Sequence, residues 1–169
     1  MPKLLPLDSC EQREIEALLD AAFGADRRGR TAYLLRDGAD VLAAMSLCLV
    51  DDAGMLTGSI QCWPVKITDN TGEDYPMVLL GPVAVAPERQ GEGHGHVLMN
   101  AALDAALLEG NPPLIMIGDP EYYARFGFSA AETGGWQLPG PCEAHRLLLR
   151  NEGDYPLPTA GLIAPDPGN

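Results

Sequence analysis

The residues best suited to chemistry lie between Val83 and Leu98. There a strand-like run breaks into Pro87-Glu88-Arg89-Gln90-Gly91-Glu92-Gly93-His94-Gly95-His96, and a helical pattern starts directly behind it. Glycines at alternate positions leave backbone N–H groups uncovered at the positive end of a helix. That arrangement holds a phosphate or pyrophosphate. His94 and His96 look like a metal pair, but alternate positions at a helix start make poor ligands without carboxylate support, and no metal is expected.

The elements that position this turn follow from pattern. Residues 76–86 are nearly all apolar and suit a central strand covered on both faces. Gly81-Pro82 interrupts that run, and a proline that cannot donate to a ladder predicts a bulge or local splay. Residues 95–109 carry Val97, Leu98, Ala101, Ala102, Ala105 and Leu108 at helical spacing and end at Gly110-Asn111-Pro112-Pro113. Residues 114–117 read as a short buried strand. Asp119-Pro120-Glu121 offers an N-cap followed by proline at the first helical position, predicting a short helix over 122–126 that Gly127 ends.

Upstream, residues 3–7 predict a strand. A helix over 10–23 is capped by Asp8 or Ser9 and stopped by Gly24, with Ile15, Leu18, Leu19 and Ala22 on one face. Residues 31–36 predict a short helix. Two strands, 41–50 and 55–68, are joined at Asp51-Asp52-Ala53-Gly54, a good hairpin turn. Late strands are expected near 128–130 and 143–149. A Pro/Gly-rich tail, residues 154–169, is expected to drape over the surface beyond one domain of residues 1–153. The order predicts an α/β fold: a mixed sheet with one crossover at the ligand end.

The formal net charge of −13 argues against nucleic acid, because phosphate neutralisation needs a basic face. No apolar run approaches the roughly 18 residues of a membrane span, and the N-terminus has no apolar signal region. Cys10, Cys48, Cys62 and Cys142 are far apart with no CxxC pair, so neither structural disulfides nor a zinc site is expected. A cytoplasmic protein fits these features.

Three phosphate-binding turns compete. A P-loop needs Lys-Ser/Thr after its last glycine, and His94, His96 and Val97 occupy that neighbourhood. A dinucleotide fingerprint is spaced GxGxxG and opens a βαβ unit early in a domain. The third is the pyrophosphate turn of an acyl-coenzyme A enzyme, and here the sequence resembles the GNAT superfamily of N-acetyltransferases. Gln90-Gly91-Glu92-Gly93-His94-Gly95 matches that family's Gln/Arg-x-x-Gly-x-Gly/Ala signature. Independently, Tyr122-Tyr123-Ala124-Arg125-Phe126-Gly127-Phe128 resembles its aromatic-Tyr-x-x-x-Gly-Phe helix. The likeness is firm from Val78 to Phe128, looser before it and weak after Gly134.

The resemblance implies a mixed, mostly antiparallel central sheet flanked by helices, with a strand–Gly-turn–helix site for acetyl-CoA as co-substrate. By it, N–H groups along Gln90, Gly91, Glu92, Gly93, His94 and Gly95 grip the coenzyme A pyrophosphate, and Arg89 adds charge. Val83 and Val85 offer backbone groups to the thioester carbonyl and the pantetheine amides. Tyr123 is the general acid for the departing thiolate. The histone-modifying branch places a catalytic Glu where this chain has Leu79, and Glu73, Asp74 or a water chain is left to act as base. The implied reaction is direct acetyl transfer to a primary amine, on a small molecule or a peptide. A homodimer through the late strands or tail would fit. The alternative is a catalytically silent coenzyme A-binding sensor or interaction domain, with a nicotinamide-binding oxidoreductase a more distant reading.

Overall fold

The computed structural model describes residues 2–168; Met1 and Asn169, the outer ends of the expected domain and tail, lie outside the described residues. Eight strands occur among those residues: β1 (Lys3–Pro6), β2 (Leu47–Val50), β3 (Leu56–Thr68), β4 (Asp74–Val85), β5 (Leu114–Ile117), β6 (Gly135–Gln137), β7 (Leu147–Arg150) and β8 (Ala160–Pro165). They are hydrogen-bonded in the order β1-β2-β3-β4-β5-β7, with β8 pairing both β3 and β6. The described pairings are antiparallel except β4 with β5 and β6 with β8. The parallel register Val78↔Leu114 and Leu79↔Ile115 follows from the intervening helix, since parallel neighbours need a crossover. Helices α1 (Gln12–Phe23), α2 (Thr31–Leu34), α3 (His94–Leu108) and α4 (Pro120–Tyr123) complete the fold.

The chain divides into two compact units, and β3 and β4 contribute a half to each. The first unit holds residues up to Arg28, then Val41–Cys62 and Gly81–Glu109. Helix α1 buries Ile15, Leu18 and Leu19, spaced so that one stripe faces inward, against Leu7, Cys48, Ala84 and Ala86. Gly24 ends it at φ +95 with its N–H on Asp20 O. No side chain caps its start: Glu11 is the N-cap, and Asp8 and Ser9 belong to a 3-10 turn, which corrects the expected cap.

Helix α3 begins one residue earlier than expected, at His94. Its buried stripe is Leu98, Met99, Ala102 and Ala106, whereas Val97 and Leu108 are exposed. Leu98 rests on Gly58: a Cβ there would lie 2.9 Å from Leu98 Cδ1 and 3.2 Å from Ala84 O. A bare strand position thus lets the helix lie close against β3. Strand β2 is shorter than expected, because residues 43–45 form a 3-10 turn ahead of it.

Cys10 and Cys48 are joined as a disulfide across 38 residues, which corrects the expectation of no structural pairing. Wide spacing in the chain carries no information once β1–β2 pairing brings distant residues together.

The second unit holds Gly29–Asp40, Trp63–Leu80 and the chain from Gly110 onward. Its core gathers Leu35, Val65, Ile67, Met77, Leu79, Ile115, Trp136, Leu147, Leu149 and Ile163. The tail does not simply drape over the surface. Strand β8 runs antiparallel to β3 from Val65↔Pro165 to Thr68↔Leu162 and parallel to β6. Ile163 joins the core and Trp136 Nε1 donates to Pro158 O at 2.9 Å, so apolar anchoring outweighs the Pro/Gly composition. Near 128–130 only an isolated bridge forms, Ser129↔Leu149.

One ion-pair network fixes the turn after α1. Arg27 is fully buried, with Nη2 2.6 Å from Glu16 Oε2 and Nε 3.0 Å from Asp20 Oδ1. Arg28 meets the same Glu16 from the solvent side at 3.2 Å. Removing the fully buried guanidinium opens a void and takes both ion-pair contacts from the partly exposed Glu16 and Asp20, whereas the exposed Arg28 pair is screened. Arg27→Ala is therefore expected to destabilise the chain by about 3 kcal/mol, and Arg28→Ala by less than about 0.5 kcal/mol, in urea unfolding.

Candidate functional site

The candidate site begins where β4 leaves the first unit's core. Ala84 and Ala86 are buried against α1, and strand alternation turns half-buried Val83 and Val85 to the opposite face. Ala86 N–H donates to Thr57 O at 2.8 Å, which holds the end of the strand. Residues Pro87–Arg89 make a 3-10 turn, and the chain then passes through Gln90, Gly91, Glu92 and Gly93 into α3. Gly91 and Gly93 have φ of +88 and +83, and Gly93 is the N-cap. An L side chain is disfavoured at both by about 1–2 kcal/mol.

The same glycines face open space. A Cβ on either would meet no atom within 4 Å. Val97 N–H is the first to bond back into the helix, to Gly93 O at 3.2 Å. The start of the 15-residue α3 thus presents the positive end of the helix dipole, equivalent to roughly half an elementary charge. Exposed backbone donors, no covering side chain and a helix dipole form a cradle suited to a phosphate-bearing ligand.

Two side chains in this stretch are engaged or enclosed by their surroundings. Arg89 does not project freely: its Nη2 donates to Asp51 Oδ2 at 2.8 Å, and its Nη1 lies 3.6 Å from Glu92 Oε1. Asp51 belongs to the β2–β3 turn, where its other oxygen accepts the Ala53 and Met55 N–H groups, each at 2.9 Å. The hairpin turn and the glycine turn are therefore tied through one carboxylate. The sequence signalled Asp51 as a turn former and gave no sign of this second partner. His94 is buried, with Nε2 3.7 Å from Glu92 Oε1 and Nδ1 without a hydrogen bond.

Tyr123 lies in the second unit. As expected, Asp119 caps α4, accepting the Glu121 N–H at 3.0 Å, with Pro120 at the first helical position. The Tyr123 ring meets Tyr122 edge-on at 4.8 Å between centroids and Phe128 at 6.5 Å. Gly127 closes the segment at φ +88. Burial, followed by the neighbouring Tyr122 and Asp119, raises the Tyr123 phenol above its ordinary value, while Arg146 opposes them. Tyr123 is consequently a neutral donor at physiological pH.

Glu73 and Asp74, the candidate bases, both have hydrogen-bond partners, and the position of the histone-modifying Glu holds Leu79. Leu79 is buried in the second unit's core and carries no ionisable group. Asp74 accepts from Thr68 Oγ1 at 2.6 Å and Lys66 Nζ at 3.2 Å, which holds its carboxyl below the usual range. Glu73 accepts the Tyr75 hydroxyl at 3.0 Å.

A family model described as an acetyltransferase (GNAT) domain matches residues 6–131. The chain belongs to the GNAT acetyltransferase family. The uncharacterized N-acetyltransferase YhbS of Escherichia coli K12 is 33% identical over 117 residues, covering 69% of this chain and 67% of YhbS. YjhQ of the same strain is 30% identical over 161 residues, 92% of this chain and 86% of its own length. Among solved structures, YhbS from Escherichia coli in complex with CoA superposes with a TM-score of 0.73 at 25% identity, covering 98% of this chain and 88% of that one. A GNAT family acetyltransferase from Brucella melitensis in complex with acetyl-CoA gives 0.68 at 26% identity, covering 97% and 95%. The mixed, mostly antiparallel sheet with flanking helices is thus a GNAT fold. No described helix is long and apolar enough to cross a membrane.

The Asp51 tie makes a pH prediction for this GNAT chain. The Met55 N–H does most to hold the Asp51 carboxyl below the ordinary aspartate value, with Ala53 and Arg89 adding to it against desolvation. A depressed carboxylate contributes its stabilisation above the unfolded-state value and loses it only as pH falls through the lower folded value. In a carboxyl ¹³C NMR titration, Asp51 is expected to titrate below a free aspartate. In Arg89→Ala the midpoint should rise but stay depressed, because the two backbone donors remain.

Proposed function

We propose that this protein transfers an acetyl group from acetyl-CoA to a primary amine of a small molecule or peptide by direct attack. The observation that carries the reading is the bare, left-handed Gly91–Gly93 turn opening α3. Such a turn offers the pyrophosphate several N–H donors at once, from Gly91, Gly93, His94 and Gly95, while the Gln90 and Glu92 N–H groups make long 3.4 Å bonds to Pro87 O and Arg89 O that a phosphate would have to share. Arg89 lends charge already shared with Asp51, so it tunes the turn's potential more than it grips a phosphate.

On the same reading, Val83 N–H receives the thioester oxygen as negative charge develops on it, and Val85 backbone groups align the pantetheine amides. The attacking amine forms the new C–N bond as the C–S bond breaks. Tyr123 gives its proton to the departing sulfur and regains one released from the amine nitrogen, so the phenol is restored each turnover. The amine must arrive neutral, because a free alkyl ammonium has a pKa near 10. Glu73 and Asp74 are tied to Tyr75, Thr68 and Lys66, which favours a water-borne proton path. The net charge of −13 draws an ammonium-bearing acceptor at long range, an effect that salt screens.

A cytoplasmic setting remains part of the proposal, and the Cys10–Cys48 pair weighs against it, because reducing compartments keep thiols free. Thiol titration of the protein purified without reductant reads the state of that pair directly.

Thiol release from acetyl-CoA in the presence of polyamines, amino acids, aminoglycosides and lysine peptides tests the reaction. Turnover with at least one amine is expected. Tyr123→Phe should then lower kcat about 10²-fold while leaving acetyl-CoA binding nearly unchanged. Gly93→Val should weaken acetyl-CoA binding about tenfold or more, since a side chain there is strained and stands where the phosphate approaches. Binding without turnover across the whole panel would instead mark a coenzyme A-binding domain.

A further inference from the structure

The Tyr123 ring lies against bare backbone. A Cβ built on Gly118 would come within 2.7 Å of Tyr123 Cε2 and 3.0 Å of Cδ2, closer than carbon atoms approach. Gly118 is not among the residues with positive φ, so no turn geometry demands a glycine at the end of β5. The aromatic ring demands it.

Gly118 is in turn fixed on both of its peptide groups by one residue. Its N–H donates to Arg146 O at 3.0 Å, and its carbonyl accepts a long hydrogen bond from Arg146 Nε at 3.4 Å. Arg146 directly precedes β7, whose pairing with β5 runs up to Ile117↔Leu147. The next residue along each strand is thus Gly118 and Arg146, and the ladder sets their meeting. The ring is also bounded by Tyr122, Phe126 and Phe128, with centroids 4.8, 6.3 and 6.5 Å away.

We propose that Gly118 and Arg146 are positioning residues for the Tyr123 phenol: Gly118 is the flat platform on which the ring lies, and Arg146 locks that platform through its own carbonyl and its cationic side chain. The inference rests on the acid role given to Tyr123 above. It adds a reason for the cation. A phenol near pKa 10 gives its proton uphill to a thiolate near 8.5, and burial widens that gap. Among charged groups, Asp119 opposes ionisation of this phenol and Arg146 favours it, and the Tyr122 phenol opposes it further once itself ionised. Arg146 therefore works against the desolvation that a closely packed ring must suffer.

Two readouts test this, one of them independent of any acceptor. In ¹³Cζ-tyrosine NMR, with the Tyr123 signal assigned by its loss in Tyr123→Phe, Arg146→Gln should move the phenol midpoint upward. Asp119→Asn, which keeps a capping side chain, should move it downward. In turnover with whichever amine the panel supports, Gly118→Ala should lower kcat about tenfold or more, with the acetyl-CoA KM nearly unchanged. Gly118→Ala should add no further loss in a Tyr123→Phe background, because no hydroxyl remains to misplace.

An equal Gly118→Ala loss in both backgrounds, or an Arg146→Gln midpoint that does not move, would overturn the positioning role. Tyr123→Phe keeping parent turnover would overturn the acid role and this inference with it, and is seen before any Gly118 variant is read. Should Gly118→Ala fail to fold, the Arg146→Gln and Asp119→Asn midpoints alone decide.

Discussion

The proposed site depends on a turn whose backbone no side chain covers at Gly91 and Gly93. Between Gln90 and His94 the chain makes a left-handed turn, then commits to a 15-residue helix. The positive end of that helix is of use only if the donors stay bare. Glycine keeps them bare and permits the positive φ, at a conformational-entropy cost that the flanking structure must offset. It is offset within the first unit. Leu98 seats α3 on Gly58, Ala84 and Ala86 anchor the end of β4, and Asp51 holds Arg89 at the turn's entrance.

Polar side chains in this chain do two kinds of positional work. Asp51, Asp69 and Asp119 each accept N–H groups from the residues following them, which fixes turns and a helix start locally. Arg27, Arg89 and Arg146 reach further and join segments that the sequence separates. The guanidinium suits the second task because its several donors meet two acceptors at once in fixed geometry. Glu73, Asp74 and Asp51 are themselves engaged in such contacts, with Tyr75, Lys66 and Arg89 respectively.

Local chemistry was legible in the sequence, and long-range pairing was not. Asp119-Pro120 announced a helix start because capping and the proline constraint act within one turn. The Asp51–Gly54 hairpin and the strand–glycine–helix order were readable for the same reason. The α3 stripe was read slightly out of rotation, since Val97 and Leu108 are apolar yet exposed. Strands β6 and β8 were missed. Three residues of Gly-Trp-Gln and a Pro-rich tail carry little strand propensity, and burial of Trp136 and Ile163 decides their state. The Cys10–Cys48 pair and the Asp51–Arg89 contact likewise arise from folding rather than from spacing. Of the candidate site, the glycine turn and Tyr123 could be seen. The ties that hold them, Asp51 in one unit and Gly118 in the other, could not.

The central claim is that the Gly91–Gly93 turn is a coenzyme A cradle and not merely a tight bend. Calorimetric titration of the purified protein with acetyl-CoA, with NADH and ATP as controls, tests it most directly. Saturable micromolar binding of acetyl-CoA alone is the predicted result. No binding of acetyl-CoA, or equal binding of NADH or ATP, would contradict the account.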